Sequence, residues 1–143
     1  MQAQLPWQAW ALLSAGFAAL TAVFGKVGVE GVNSDFATLI RTVVILVVLA
    51  AFLAATRQFQ PLEAIGPRTW TFLGLSGLAT GASWVCYYRA LQLGDAARVA
   101  PIDKLSILLV AIFGVAFLGE HLSLRNWAGV GLIAGGALLV AGR

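Results

Sequence analysis

Charge is what this chain has least of. Of its 143 residues, nine are Lys or Arg and six are Asp or Glu, 10% in all. A soluble domain carries about 25%, so there are too few polar groups here to cover a soluble surface. The basic residues are scattered singly despite a net charge of +3. No run of Lys or Arg marks a nucleic-acid surface, and no nucleic-acid partner is expected. The single cysteine, Cys86, permits no disulfide within the chain and no cysteine metal cluster. It sits in an apolar run and reads as a small buried filler. The single histidine, His121, has no metal-ligand companions at suitable spacing. A phosphate-binding GxGxxG loop is absent, and no pair of deep aspartates resembles a protease dyad. Neither an enzyme nor a metal or cofactor is expected.

What the chain does have is long apolar runs. Hydrophobic residues make up 60% of it, and Met1 to Gly25, Thr69 to Tyr88 and Asn126 to Gly142 each pass without a charged side chain. A helix rises about 1.5 Å per residue, so roughly 20 apolar residues cross a hydrocarbon core about 30 Å thick. The pattern predicts an all-α membrane protein. One transmembrane domain over residues 1–143 would have five spans, at approximately 7–27, 35–56, 69–91, 99–118 and 124–141. The fourth is the shortest in charge-free length, and Pro101 near its start adds a turn. Barrel strands alternate apolar and polar positions over about 10 residues; these runs are apolar all round, which argues against a barrel.

The N-terminal stretch lacks the positive n-region of a cleavable signal and reads as a permanent span, with Pro6 near its entry and Trp7 and Trp10 at interface depth. Gly28, Gly31 and Asn33 mark a loop; Pro61, Gly66 and Pro67 break another; Gly94 to Arg98 turns the chain; Ser123 is placed to cap the last helix. Gly74, Gly77 and Gly81, and again Gly131 and Gly135, recur at spacings that let helix backbones approach. Packing inside the bundle is the first expectation, dimer contacts the second.

With five alternating helices, Arg57, Glu63, Arg68, Glu120, His121 and Arg125 fall on the N-terminal side. Lys26, Glu30, Asp35, Arg41, Arg89, Asp95, Arg98, Asp103, Lys104 and Arg143 fall on the other. Orientation follows the Lys and Arg bias of short loops. Here the clear loop positions nearly balance, which permits insertion both ways and so an antiparallel dimer. Ionisable groups within spans are costly and tend to face a bundle interior or a water cavity; long Lys and Arg side chains also snorkel to the interface. Arg41, Asp103 and Lys104 are the stronger cavity candidates, Lys26 and Arg89 the stronger snorkellers. Asp103 and Lys104 are helix neighbours about 100° apart, so each is expected to find a partner elsewhere. Asp103 with Arg41 or Arg89 is a sensible pair. Ser106 shares the Asp103 face, and Pro101 frees a carbonyl one turn earlier. Trp84 lies i,i+3 from Tyr87 and i,i+4 from Tyr88, a possible solute wall with cation–π capacity toward an amine, or else an aromatic belt.

The segment YRALQLGDAARVAPIDKLSILLVAIFGVAFLGEHLSLRNWAGVGLIAGGALLV resembles the second half of an EamA domain of the drug/metabolite transporter superfamily. The resemblance is carried by Ala90-Leu91, Gly94 to Ala96, Ala100-Pro101, Leu118-Gly119-Glu120, Leu122-Ser123, and Trp127 with Gly129, Leu132 and Gly135. The first half matches more loosely, through WALLSAGFAALTAVFGKVG and Arg41. Full-length members have two inverted repeats and ten helices; this chain is similar to short five-helix bacterial and archaeal members with one repeat. The resemblance implies a multi-pass transporter of the inner membrane, moving a small metabolite or drug by alternating access. A lone repeat would need a second copy, hence a homodimer. The related small multidrug resistance transporters rely on a glutamate in the first span. This chain has none there, so their proton-coupled cation exchange is not implied. Glu120 matches the family's glutamate after span four and reads as helix-end architecture or as a gate.

The expected substrate-binding residues are Arg41, Trp84, Tyr87, Asp103, Lys104 and Ser106. Lys26, Arg89, Pro101 and Glu120 are expected to gate or to support. The rival reading is an accessory membrane subunit that binds a partner and moves nothing.

Overall fold

The computed structural model describes residues 5–142. All regular structure among them is helical: α1 (Trp7–Gly28), α2 (Ser34–Thr56), a 3₁₀ turn (Leu62–Ala64), α3 (Pro67–Leu93), α4 (Ala96–Asp103), α5 (Ser106–Phe117) and α6 (Leu124–Ala141).

Local chemistry sets most of these ends. Asn33 caps α2: its Oδ1 accepts the Asp35 amide at 2.9 Å and the Phe36 amide at 3.1 Å, and Asp35 places a negative charge at the positive helix end. Ser123 Oγ accepts the Asn126 amide at the start of α6, the expected cap. Pro67 is the first residue of α3 rather than a breaker before it. Its missing N–H would have had no helical partner there. The turn before α4 is also shorter than expected, because the helix resumes at Ala96.

The end of α2 is the exception to good local fit. Arg57 closes it in the left-handed conformation, φ 53° and ψ 39°, with its amide on Ala54 O and the Gln58 amide on Leu53 O. This is the Schellman arrangement, normally built on glycine. A side chain in that conformation costs about 1 kcal/mol or more. Arg57→Gly is therefore expected to raise stability in detergent by about 0.5–1 kcal/mol. Unfolding in mixed micelles with rising SDS measures it; a loss of stability would contradict the cap assignment.

Span four, expected as one helix at 99–118, is two. Pro101 lies inside α4 and cannot donate to the carbonyl four residues earlier. Shorter bonds then take over. The Lys104 amide is shared between Ala100 O and Pro101 O, Leu105 N bonds Ile102 O at 2.9 Å, and Ile107 N bonds Lys104 O at 3.0 Å. All but the bond from Lys104 to Ala100 are i→i+3, the tighter 3₁₀ pattern. The α-helix breaks at Lys104-Leu105 and resumes at Ser106.

Four helical stretches are long and apolar enough to cross a membrane: Trp7–Gly28, Ser34–Thr56, Ala96–Phe117 and Leu124–Ala141. That is one fewer than the five expected. The helix left out is α3, which at 27 residues has the length. Its Ser, Thr, Gly, Gln and Arg content dilutes its apolarity. Apolar side chains line the outside of these helices: Leu12, Leu78, Leu132 and Leu139 are 74–83% exposed. Lipid makes such a surface favourable. Five threonines, Thr38, Thr42, Thr56, Thr71 and Thr80, return their hydroxyls to the carbonyl four residues back. That satisfies each donor within its own helix, as hydrocarbon requires.

The chain divides into two compact units, one of residues 25–92 and one of the residues up to Phe24 together with those from Leu93. In the second unit α6 packs against α4 and α5, and Arg98 Nη2 donates to Ala141 O at 3.1 Å. The glycines at 74, 77, 81, 131 and 135 are open on their helix surfaces. A Cβ added at any of them meets nothing within 4 Å. Cys86 is exposed rather than buried, because α3 turns Tyr88 and Leu91 inward instead.

Candidate functional site

In the unit of residues 25–92 the polar residues gather where the end of α1, the start of α2 and the end of α3 meet. Three side chains tie the ends together. Lys26 Nζ donates to Leu91 O at 2.7 Å. Leu91 lies in the last turn of α3, where carbonyls lack helical donors, so this lysine serves as a cap. Arg89 Nη2 pairs with Asp35 Oδ2 at 2.7 Å. Gln92 Nε2 donates to Val32 O at 3.0 Å. The carboxylate expected for Arg89 was Asp103. It is Asp35, because α2 and α3 bring those two ends side by side.

Beneath these ties lies Arg41, seven residues into α2, about 10 Å along its axis. Its guanidinium carbon stands 4.0 Å from the Trp84 ring centroid and 5.2 Å from that of Tyr88. Trp84 and Tyr88 are i,i+4 on α3, so both rings reach one face. Its Nη1 is buried and has no hydrogen-bond partner. Asp103, the carboxylate also expected for Arg41, belongs to the other unit and pairs there with Lys104. Tyr87 stands outside this stack: its ring meets Tyr88 edge-on, centroids 6.3 Å apart. Tyr88 is the residue that sequence reasoning left out of the site, though its spacing from Trp84 marked it.

Gly25 makes the stack possible. A Cβ there would lie 3.0 Å from Tyr88 Oη and 3.4 Å from Leu91 Cδ1. Tyr88, Leu91 and Val29 are buried, at 5%, 0% and 1% exposure. Glycine thus lets α1 approach α3 closely enough to seat the tyrosine that underlies Arg41.

In the other unit, the break between α4 and α5 carries the remaining expected residues. Asp103 Oδ2 and Lys104 Nζ are 3.2 Å apart. These neighbours do face each other, against expectation: the flexible four-carbon stem of lysine bridges the angle between them. Both are partly exposed, so the pair adds little stability. Ser106 opens α5, and among the described residues no hydrogen bond joins it to Asp103. Glu120 folds back on α5. Its amide bonds Gly114 O at 3.0 Å, Gly119 supplies the turn at φ +69°, and its carboxylate fills the space over Gly114. A Cβ on Gly114 would meet Glu120 Oε2 at 2.5 Å. Gly114→Ala is expected to swing that carboxylate out at a cost under about 1 kcal/mol, because the obstructing atom ends a flexible chain. Glu120→Ala in the same chain should remove the cost; a cost that persists in the double variant places the clash elsewhere.

Comparison with known proteins bears on these features. The model of the EamA-like transporter family matches residues 5–142. The chain belongs to the EamA-like transporter family. An "uncharacterized transporter in cobO 3'region" of Sinorhizobium sp. is 73% identical over 135 residues, 94% of this chain and 96% of the relative. The chain is also 27% identical, over 73 residues, to the "probable 4-amino-4-deoxy-L-arabinose-phosphoundecaprenol flippase subunit ArnE" of Hamiltonella defensa. That match covers 51% of this chain and 66% of the relative. No solved structure matches significantly. Family membership and the apolar helices make this a multi-pass membrane protein of a transporter family. Arg41, part of the looser first half of the resemblance, lies inside the matched region.

Proposed function

We propose that this chain is a half-size secondary transporter that moves a small metabolite or drug across the bacterial inner membrane by alternating access. In this reading residues 1–143 act as one transmembrane domain with five crossings, α3 included, and two copies pair antiparallel. The observation that carries the reading is the family match over residues 5–142, together with a 73%-identical relative, matched over 96% of its length, that is named a transporter. The cluster of Arg41, Trp84 and Tyr88 supports it, because ionisable groups set into apolar helices are costly and mark functional paths. The near-balanced loop charges support insertion in both orientations. The open glycines of α3 and α6 leave backbone surface free for a second copy. Lys26 and Arg89 hold helix ends in this account, and Asp103, Lys104 and Ser106 sit at a helix break of the kind transporters use at binding sites.

Two measurements test it. Each terminus is tagged and labelled from one side of the membrane: labelling of both ends in both compartments supports the antiparallel pair, and one-sided labelling sinks it. Flux of candidate solutes into liposomes tests transport; a folded dimer that moves none of them argues against it. The second reading, an accessory subunit that moves nothing by itself, is favoured by the partial likeness to a protein named as a flippase subunit. Stable purification as a homodimer with flux of its own would remove that reading.

A further inference from the structure

The aromatic pair on α3 was expected to offer its ring faces to an amine. One face of each is already taken: Arg41 lies over Trp84 at 4.0 Å and over Tyr88 at 5.2 Å. What the cluster presents is therefore a positive charge. Among the described residues no carboxylate pairs with that charge. Of the acids of this unit, Asp35 is bound by Arg89 at 2.7 Å, while Glu30 and Glu63 are exposed. The hydroxyls of Thr38 and Thr42, on the same stretch of α2, are donated to backbone. Arg41 Nη1 is buried with no acceptor. A buried charged donor without an acceptor is unfavourable, and the planar guanidinium carries its N–H groups in a fork that matches an oxyanion.

We propose that Arg41, held on Trp84 and Tyr88, is a recognition site for an oxyanion, a phosphate or carboxylate group of the cargo. The proposal rests on the transporter reading above and names its substrate class. The fork geometry suits two oxygens of one group. The oxyanion belongs to a free solute or to a lipid headgroup; the chemistry is the same for both, and experiment separates them.

The test uses the full chain in uncharged maltoside micelles, with Trp7, Trp10, Trp70 and Trp127 changed to Phe so that Trp84 alone reports. Inorganic phosphate is titrated at constant ionic strength. A second series adds phosphatidylglycerol to the micelles, and a third adds tetraphenylphosphonium. A saturable change in Trp84 fluorescence with phosphate supports the site and a free solute. A change with phosphatidylglycerol alone supports the site and a headgroup. Arg41→Gln should weaken the response by about tenfold or more, and Arg41→Lys by less, because lysine keeps the charge but not the fork. No saturable response to either anion, a response to tetraphenylphosphonium instead, or an unchanged titration in Arg41→Gln overturns the proposal. If Arg41→Gln fails to fold, the order of anion over cation in the Arg41 chain decides. Flux of a solute without any anion response at Trp84 leaves the transporter reading standing and removes this one. Saturable anion binding without flux does the reverse.

Discussion

Arg41→Leu is expected to leave the protein folded, shift its stability by no more than about 1 kcal/mol, and cut transport at least about tenfold. Two opposed effects set the first part. The variant loses a cation stacked on Trp84 and Tyr88, which stabilises by roughly 0.5–2 kcal/mol. It also loses a buried donor with no acceptor, Nη1, which costs roughly 1–3 kcal/mol. Leucine is apolar and fits between helices, so the two changes nearly cancel. Function has no such compensation, because the cation over Trp84 and Tyr88 is gone. The combination is diagnostic. A residue kept for packing would lose stability and activity together; a residue kept for its cargo loses activity alone. SDS unfolding in mixed micelles gives the first quantity and liposome flux the second. A loss of several kcal/mol with transport intact would make Arg41 a structural residue.

Gly25→Leu is expected to have the largest stability effect of any single change in the unit of residues 25–92, about 3 kcal/mol of destabilisation, with Gly25→Ala costing about 1 kcal/mol. Even the first carbon would press on Tyr88 Oη at 3.0 Å and Tyr88 Cζ at 3.2 Å. Neither Tyr88 nor Leu91 has open space to retreat into, at 5% and 0% exposure, and close-packed interiors resist added methylenes. Gly16→Leu on the same helix serves as the control, since a Cβ there meets nothing within 4 Å. Pairing Gly25→Ala with Tyr88→Phe, which deletes the nearest atom, should recover most of the loss. If the double variant recovers nothing, or if Gly16→Leu costs as much, α1 does not meet α3 at this glycine. Displacing Tyr88 also shifts the bed under Arg41, so Gly25→Leu is expected to impair transport as well.

The sequence by itself determined that this chain lives in lipid, that it is helical, and within a residue or two where α1, α2 and α6 begin and end. Those features are local. Apolar run length, the loop mark at Asn33, the cap at Ser123 and the absence of charge act over a few residues and need no knowledge of neighbours. Arg41 was legible as an anomaly for the same reason: a charge inside an apolar run stands out. The break after Pro101 was only half legible, because proline announces lost hydrogen bonds but not where the helix resumes. Tertiary structure alone decided the partners. Arg89 took Asp35 across 54 residues and Lys26 took Leu91 across 65, leaving Asp103 to its neighbour Lys104 and Arg41 to the aromatic rings. Such choices depend on how each helix is rotated about its axis and on which ends meet. Glycine at 25, whose importance is invisible in its own helix, fixes both by the closeness of approach it allows.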